Sequence, residues 1–144
     1  MSTPTVVPAI VKTVTVPLDP AAAFELFTAR MGDWWPLHSH SVGGADSQGV
    51  VLGPAAAVET LPDGSTATWG EVLAWQPPVR LSMTWHPGAA PGPDQTEVTV
   101  TFEPVAEGTR VRLEHSGWER LAPEHRGDYD SGWDTVLAGF VASA

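Results

Sequence analysis

Residues 96 to 104 read TEVTVTFEP, and residues 108 to 118 read GTRVRLEHSGW. In the first stretch Val98, Val100 and Phe102 alternate with Glu97, Thr99, Thr101 and Glu103. In the second, Val111, Leu113 and His115 alternate with Arg110, Arg112 and Glu114. A period of two sends successive side chains to opposite faces, so each stretch is a strand with one covered and one wet face. Ala106-Glu107-Gly108 turns the chain between them. Strands joined this way pair antiparallel, and an antiparallel sheet tolerates water on one side. His115 falls on the covered side.

Outward from this hairpin the texture stays β. VVLG (50–53), AAVETL (56–61), TATWGEVLAW (66–75) and VRLSMTWH (79–86) read as further strands. Asp63-Gly64 in PDGS marks a hairpin turn, and Pro77-Pro78 ends a strand. The strand through Trp69 is ambiguous: Trp69, Glu71, Leu73 and Trp75 share one parity, yet Gly70, Val72 and Ala74 also look buried. A bulge would reconcile the two sets. PGAAPGPDQ (87–95) is a Pro/Gly loop, and residues 36–49 form another.

At the N-terminal end, VVPAIVKTVTVPL (6–18) reads as a first strand, with Val14 and Val16 on one face. DPAAAFELFTAR follows as a helix, with Asp19 as cap, Pro20 at the first helical position and Gly32 as terminator. Near the C-terminus, Tyr129, Trp133, Val136 and Phe140 recur at helical offsets. Gly132 and Gly139 interrupt that helix and cost stability, which close approach of backbone to a neighbour or a ligand would compensate.

The whole chain, residues 1–144, is the size of one domain. It contains no cysteine, so disulfides, thiolate metal sites and cysteine nucleophiles are excluded. Seven basic residues against seventeen acidic ones give a net charge of −10, which disfavours nucleic acid. No apolar run reaches the ~20 residues of a membrane helix, and MSTPTVVPAI does not read as a signal peptide. The expected setting is cytoplasmic, with no membrane partner.

The quoted pieces also carry a resemblance. AFELFT (23–28), WWP (34–36), WGEVLAWQPP (69–78), MTWHPG (83–88), TEVTVTF (96–102), GTRVRLEHSGWE (108–119) and Tyr129, Gly132-Trp133, Val136-Leu137 resemble the START-like (SRPBCC) superfamily, in its activator of heat shock protein 90 ATPase homologue-like branch. The resemblance implies an α+β helix-grip fold: a curved antiparallel sheet around a long C-terminal helix, with short N-terminal helices. It implies a cavity between sheet and helix that takes an apolar or aromatic ligand. Some superfamily members are enzymes such as polyketide cyclases; others bind hormones, lipids or chaperones.

Within that frame, the residues that could carry chemistry are few. Seven tryptophans is a high number, and the plain reading is core packing. The sharper reading has Trp35, Trp85 and Trp133 lining the cavity, with their indole N–H groups orienting a polar ligand atom, and Trp69 is a further candidate ligand contact. WWPLHSH (34–40) then reads as a rim, with His38 and Ser39 or Ser41 as polar edges. His115 is either a satisfied core histidine or a polar contact at the cavity floor. Tyr129 joins the candidate contacts. Glu59 and Glu71 lie on neighbouring strands and could pair for acid–base work, although exposed glutamates are the default on a half-wet sheet. Two histidines are short of the three protein ligands of a catalytic zinc, so no metal or cofactor is expected.

Two functions from different classes fit. One is a small-molecule binding module, monomeric or paired as a homodimer. The other is an enzyme of cyclase or hydratase type, with His115 or Glu71 moving a proton. A chaperone-interaction protein is a weaker third.

Overall fold

The computed structural model describes residues 8–86, 96–118 and 123–144. In chain order the elements are β1 (Ile10–Val16), α1 (Pro20–Phe27), β2 (Gly49–Leu52), β3 (Ala56–Thr60), β4 (Thr66–Gln76), β5 (Arg80–Trp85), β6 (Thr96–Val105), β7 (Gly108–Ser116) and α2 (Pro123–Ser143). All seven strands join one antiparallel sheet in the order β1-β7-β6-β5-β4-β3-β2. The first strand therefore sits at one edge and the second at the other. The segment carrying α1 spans between them. The sheet curls strongly about α2, giving the helix-grip arrangement expected from the sequence. The expected Pro/Gly loop at 87–95 lies outside the described residues, as do Val6 and Val7 of the expected first strand.

The alternation along β6 and β7 sets the inner face. Val98 pairs with His115, Val100 with Leu113 and Phe102 with Val111, and all six are buried. Each of the larger apolar side chains among them contributes roughly 1.5–3 kcal/mol of burial. On β1, Ile10, Lys12, Val14 and Val16 continue the same row opposite β7. Lys12 fits an apolar row by running its stem along it. Its ammonium reaches Asp130 at 2.9 Å and Asp134 at 3.0 Å on α2. Both aspartates are at least half exposed, so the pairs are worth less than about 1 kcal/mol each.

Helix α1 starts as expected, with Asp19 Oδ1 accepting from the Ala22 N–H at 2.7 Å. It ends earlier than Gly32. Thr28 leaves the helical conformation, and its hydroxyl donates to the Phe24 carbonyl at 2.7 Å. A β-branched hydroxyl residue that bonds its own preceding turn competes with the helix ladder. Met31–Asp33 then form a separate 3-10 turn.

Strand β4 contains two irregularities. Trp69 is the extra residue between the Thr68–Val58 and Gly70–Ala57 pairs, and Leu73 is extra between Val72–Met83 and Ala74–Ser82. Each resets the parity. Trp69 and Gly70 are thus both buried, whereas Leu73 points out and is 56% exposed. Gly70 is required by sterics, because a Cβ there would overlap the Thr84 backbone carbonyl on β5. Gly70→Ala should therefore cost more than about 2 kcal/mol in chemical denaturation. Gly53→Ala, where a Cβ meets nothing within 4 Å, should change stability by less than about 0.5 kcal/mol.

Candidate functional site

A cavity of about 450 Å³ lies between β4 and β5, the segment 35–42 and the N-terminal half of α2. Two glycines on α2 explain its position. At Gly139 the helix backbone presses on the Trp34 carbonyl, where a Cβ would sit 2.7 Å from the oxygen. Beside it, Phe140 packs against Phe27 and Trp34 with centroids 5.4 and 5.2 Å apart, so this end is closed. Two turns earlier Gly132 faces the cavity, and a Cβ there would reach only the His40 ring, at 3.8 Å. The same residue type gives contact at one end of the helix and space at the other.

Four indoles form the wall. Trp35 stands 4.9 Å from Trp69, 6.1 Å from Trp85 and 5.9 Å from Trp133, centroid to centroid. Trp85 is 5.8 Å from Trp69 and 5.3 Å from Trp133. Their N–H groups do not serve a ligand as the sequence suggested. Trp35 donates to the His40 carbonyl at 2.7 Å, Trp69 to Glu59 at 2.9 Å and Trp133 to His115 at 2.9 Å. The exception is Trp85, whose buried Nε1 has no hydrogen-bond partner among the described residues. The Tyr129 hydroxyl is its neighbour, and the Trp85 N–H acts to lower the Tyr129 pKa. Burial still dominates at Tyr129 and pushes its phenol pKa upward. The cavity therefore meets indole carbon surface with few polar edges.

His115 is behind this wall and does not line the cavity. An indole N–H can only donate, so Nδ1 of His115 must accept from Trp133. The ring proton then resides on Nε2 and is donated to Thr96 Oγ1 at 2.6 Å. The Thr96 hydroxyl passes the chain on to the Trp85 carbonyl at 3.3 Å. With both nitrogens engaged and no exposure, burial pushes the His115 pKa down to about 3. It is a satisfied core histidine that fixes two cavity tryptophans.

The rim hangs from a buried anion. Glu59 is fully buried. Its carboxylate accepts from the Val42 and Gly43 N–H groups and the Ser47 hydroxyl, all at 2.8 Å, as well as from Trp69. Burial alone would raise its pKa, but these four donors outweigh burial and hold it below the usual carboxylate range. Sequence reading paired Glu59 with Glu71; the register separates them. Glu59 faces Ala67, whereas Glu71 faces Ala56. Glu71 is on the opposite face of the sheet from Trp85, beside Thr84 and His86. The His86 hydrogen bond, 2.7 Å long, is the main cause of its lowered pKa.

Of the expected contacts, Trp35, Trp69, Trp85, Tyr129 and Trp133 line the cavity. His38, Glu71 and His115 do not. His38 is exposed, and its place at the rim is taken by His40. Parity failed here because 36–40 is a turn, with the Pro36 carbonyl accepting from both Ser39 and His40 N–H groups. No group of three or more His, Cys, Asp or Glu among the described residues could hold a metal.

The His115 geometry has a pH consequence. Its folded pKa is about 3 against an ordinary value of 6.5. Between those limits the unfolded chain binds a proton that the folded chain refuses, so stability falls as pH drops through that window. From pH 7.5 to 5.0 the loss should be roughly 2 kcal/mol in urea denaturation. His115→Gln should be less stable at pH 7.5 and lack that portion of the slope.

The family model for Activator of Hsp90 ATPase homolog 1-like protein matches residues 18–143. Among solved structures, an anthrahydroquino-gamma-pyrone synthase, Txn09, complexed with SUM, is 30% identical, with a TM-score of 0.64 over 96% of this chain and 98% of that one. CalC from Micromonospora echinospora, a self-sacrificing resistance protein, is 25% identical, with a TM-score of 0.64 over 94% and 93%. Protein MLL2253 from Mesorhizobium loti is 21% identical and shares the fold, with a TM-score of 0.66 over 93% and 94%. No curated protein matches the chain. With a helix-grip fold and a family match running from Leu18 to Ser143, the chain belongs to the Activator of Hsp90 ATPase homolog 1-like family.

Proposed function

We propose that the protein binds a planar, largely apolar aromatic molecule in the cavity between sheet and α2. The observation that carries this reading is the wall of four indoles, three with N–H groups taken up by the protein itself. What remains is ring surface, which favours a flat π-system by offset or edge contact. The volume of about 450 Å³ falls within the usual range for small-ligand sites.

Magnitudes limit the affinity. Burying about 300 Å² of apolar ligand gives roughly 7 kcal/mol, and association costs at least about 4. Aromatic contacts add about 0.5–1.5 kcal/mol each. A three-ring ligand with one or two good contacts should then bind with a Kd on the order of 0.1–1 mM, and polar contacts are needed for tighter binding.

A second reading is that the bound aromatic is also converted, as by a cyclase or synthase. The likeness to Txn09 across nearly the full length of both chains favours it. It requires an ionisable group at the cavity whose loss stops turnover and spares binding. Neither His115 nor Glu71 lines the cavity. A chaperone-directed role has only the family description in its support.

Titration of tryptophan fluorescence with 1,4-naphthoquinone, a flat aromatic soluble toward that Kd range, checks the binding reading. Wild type should quench saturably. Gly132→Leu, which places a side chain in the open half of the cavity, should weaken binding at least about tenfold without lowering the unfolding midpoint. Equal binding by this variant would place the ligand elsewhere, and unsaturable quenching would end the reading.

A further inference from the structure

We infer that His40, held by Ser39, is the polar determinant of the cavity, and that the ligand class it selects is a neutral aromatic bearing a phenolic or enolic hydroxyl. This rests on the binding reading above. His40 is fixed on its backbone side twice. Its N–H donates to the Pro36 carbonyl at 2.9 Å, and its own carbonyl accepts from the cavity indole Trp35 at 2.7 Å. The imidazole is therefore carried by the same turn that carries the wall.

The ring itself has one engaged and one open nitrogen. Nδ1 lies 2.7 Å from Ser39 Oγ. That hydroxyl has a second acceptor, the Pro36 carbonyl, at 3.5 Å. In the tautomer that carries the proton on Nδ1, that nitrogen donates to Ser39, the serine proton turns to Pro36, and Nε2 is left as an acceptor. No hydrogen bond from a described residue reaches Nε2, and this ring edge faces the space that Gly132 leaves beside α2. His40 is half-buried and lines the cavity, so a ligand hydroxyl at the mouth would meet it.

Of the other polar side chains at the cavity, Ser41, Trp85 and Asp128 are less suited to that role. The Ser41 hydroxyl donates to Leu37 and accepts from Gly44 within its own loop. The Trp85 N–H is shut off from solvent beside Tyr129. Asp128, one turn before Gly132, also lines the mouth and places a negative charge there. It disfavours sulfonates and carboxylates, as does the chain's net charge of −10. A neutral hydroxyl that donates is what this set accepts.

Calorimetric titration at pH 7.5 with 2-naphthol, 2-methoxynaphthalene and naphthalene-2-sulfonate tests it. Wild type should prefer the naphthol to its methyl ether by roughly fivefold to tenfold, as one hydrogen bond allows, and should bind the sulfonate most weakly. His40→Leu should abolish the naphthol preference while keeping the ether within about twofold. Ser39→Ala should reduce the preference part-way. His40→Phe serves as the second variant if the first has a lowered unfolding midpoint. A naphthol preference that persists in the folded His40 variants would overturn the inference. So would tighter binding of the sulfonate than of the naphthol. If wild type binds none of the three saturably, the cavity reading fails and the inference with it. If all three bind and only Gly132→Leu weakens them, the cavity reading stands and the His40 role falls.

Discussion

A single helix must cover the inner face of a curled seven-stranded sheet, and every feature of the site follows from that constraint. Helix α2 has 21 residues and spans on the order of 30 Å, but with a diameter of about 10 Å it covers one strip of the sheet. The remaining apolar area is covered by large side chains from α1, the segment after it and the strands. On the side of α2 that faces Phe27 and Trp34, the C-terminal half is filled, with Phe27, Trp34 and Phe140 in mutual contact and Gly139 drawn onto a carbonyl. At the N-terminal half the fill is four indoles, which line a space and do not close it.

The polar groups buried near that space hold its shape. A buried carboxylate is costly unless its acceptor sites are met. Glu59 meets this condition by taking two backbone N–H groups of the rim, a rim serine and the Trp69 indole. One anion thereby couples wall and rim. His115 works similarly for the other wall, linking Trp133, Thr96 and the Trp85 backbone in one directed chain. Such groups are the best candidates for catalysis when read from sequence, because they are ionisable and inward. In this fold both are fully engaged by the protein itself.

The sheet was legible because alternation is a local signal. Val98, Val100, Phe102, Val111, Leu113 and His115 all occupy the face that their parity assigns. The conflict of parity in the strand through Trp69 was itself informative, since two irregularities resolve it. The site was less legible because its specificity depends on register and loop geometry. Glu59 looked like one exposed glutamate among many until the strand pairing buried it under a distant loop. His38 and His40 are equivalent by parity, and only the turn on the Pro36 carbonyl separates them. The direction of an indole N–H has no sequence signal at all, so the expectation that several would greet a ligand was misplaced for Trp35 and Trp133.

We propose the indole-walled space as the binding site for a flat aromatic ring. The most direct measurement is a crystal structure of the protein grown with 9,10-anthraquinone. Planar density is expected among Trp35, Trp85 and Trp133, beside Gly132, with the four indoles in their present rotamers. Density for the ligand at another surface, or tryptophan side chains collapsed into the space with no ligand between them, would contradict it.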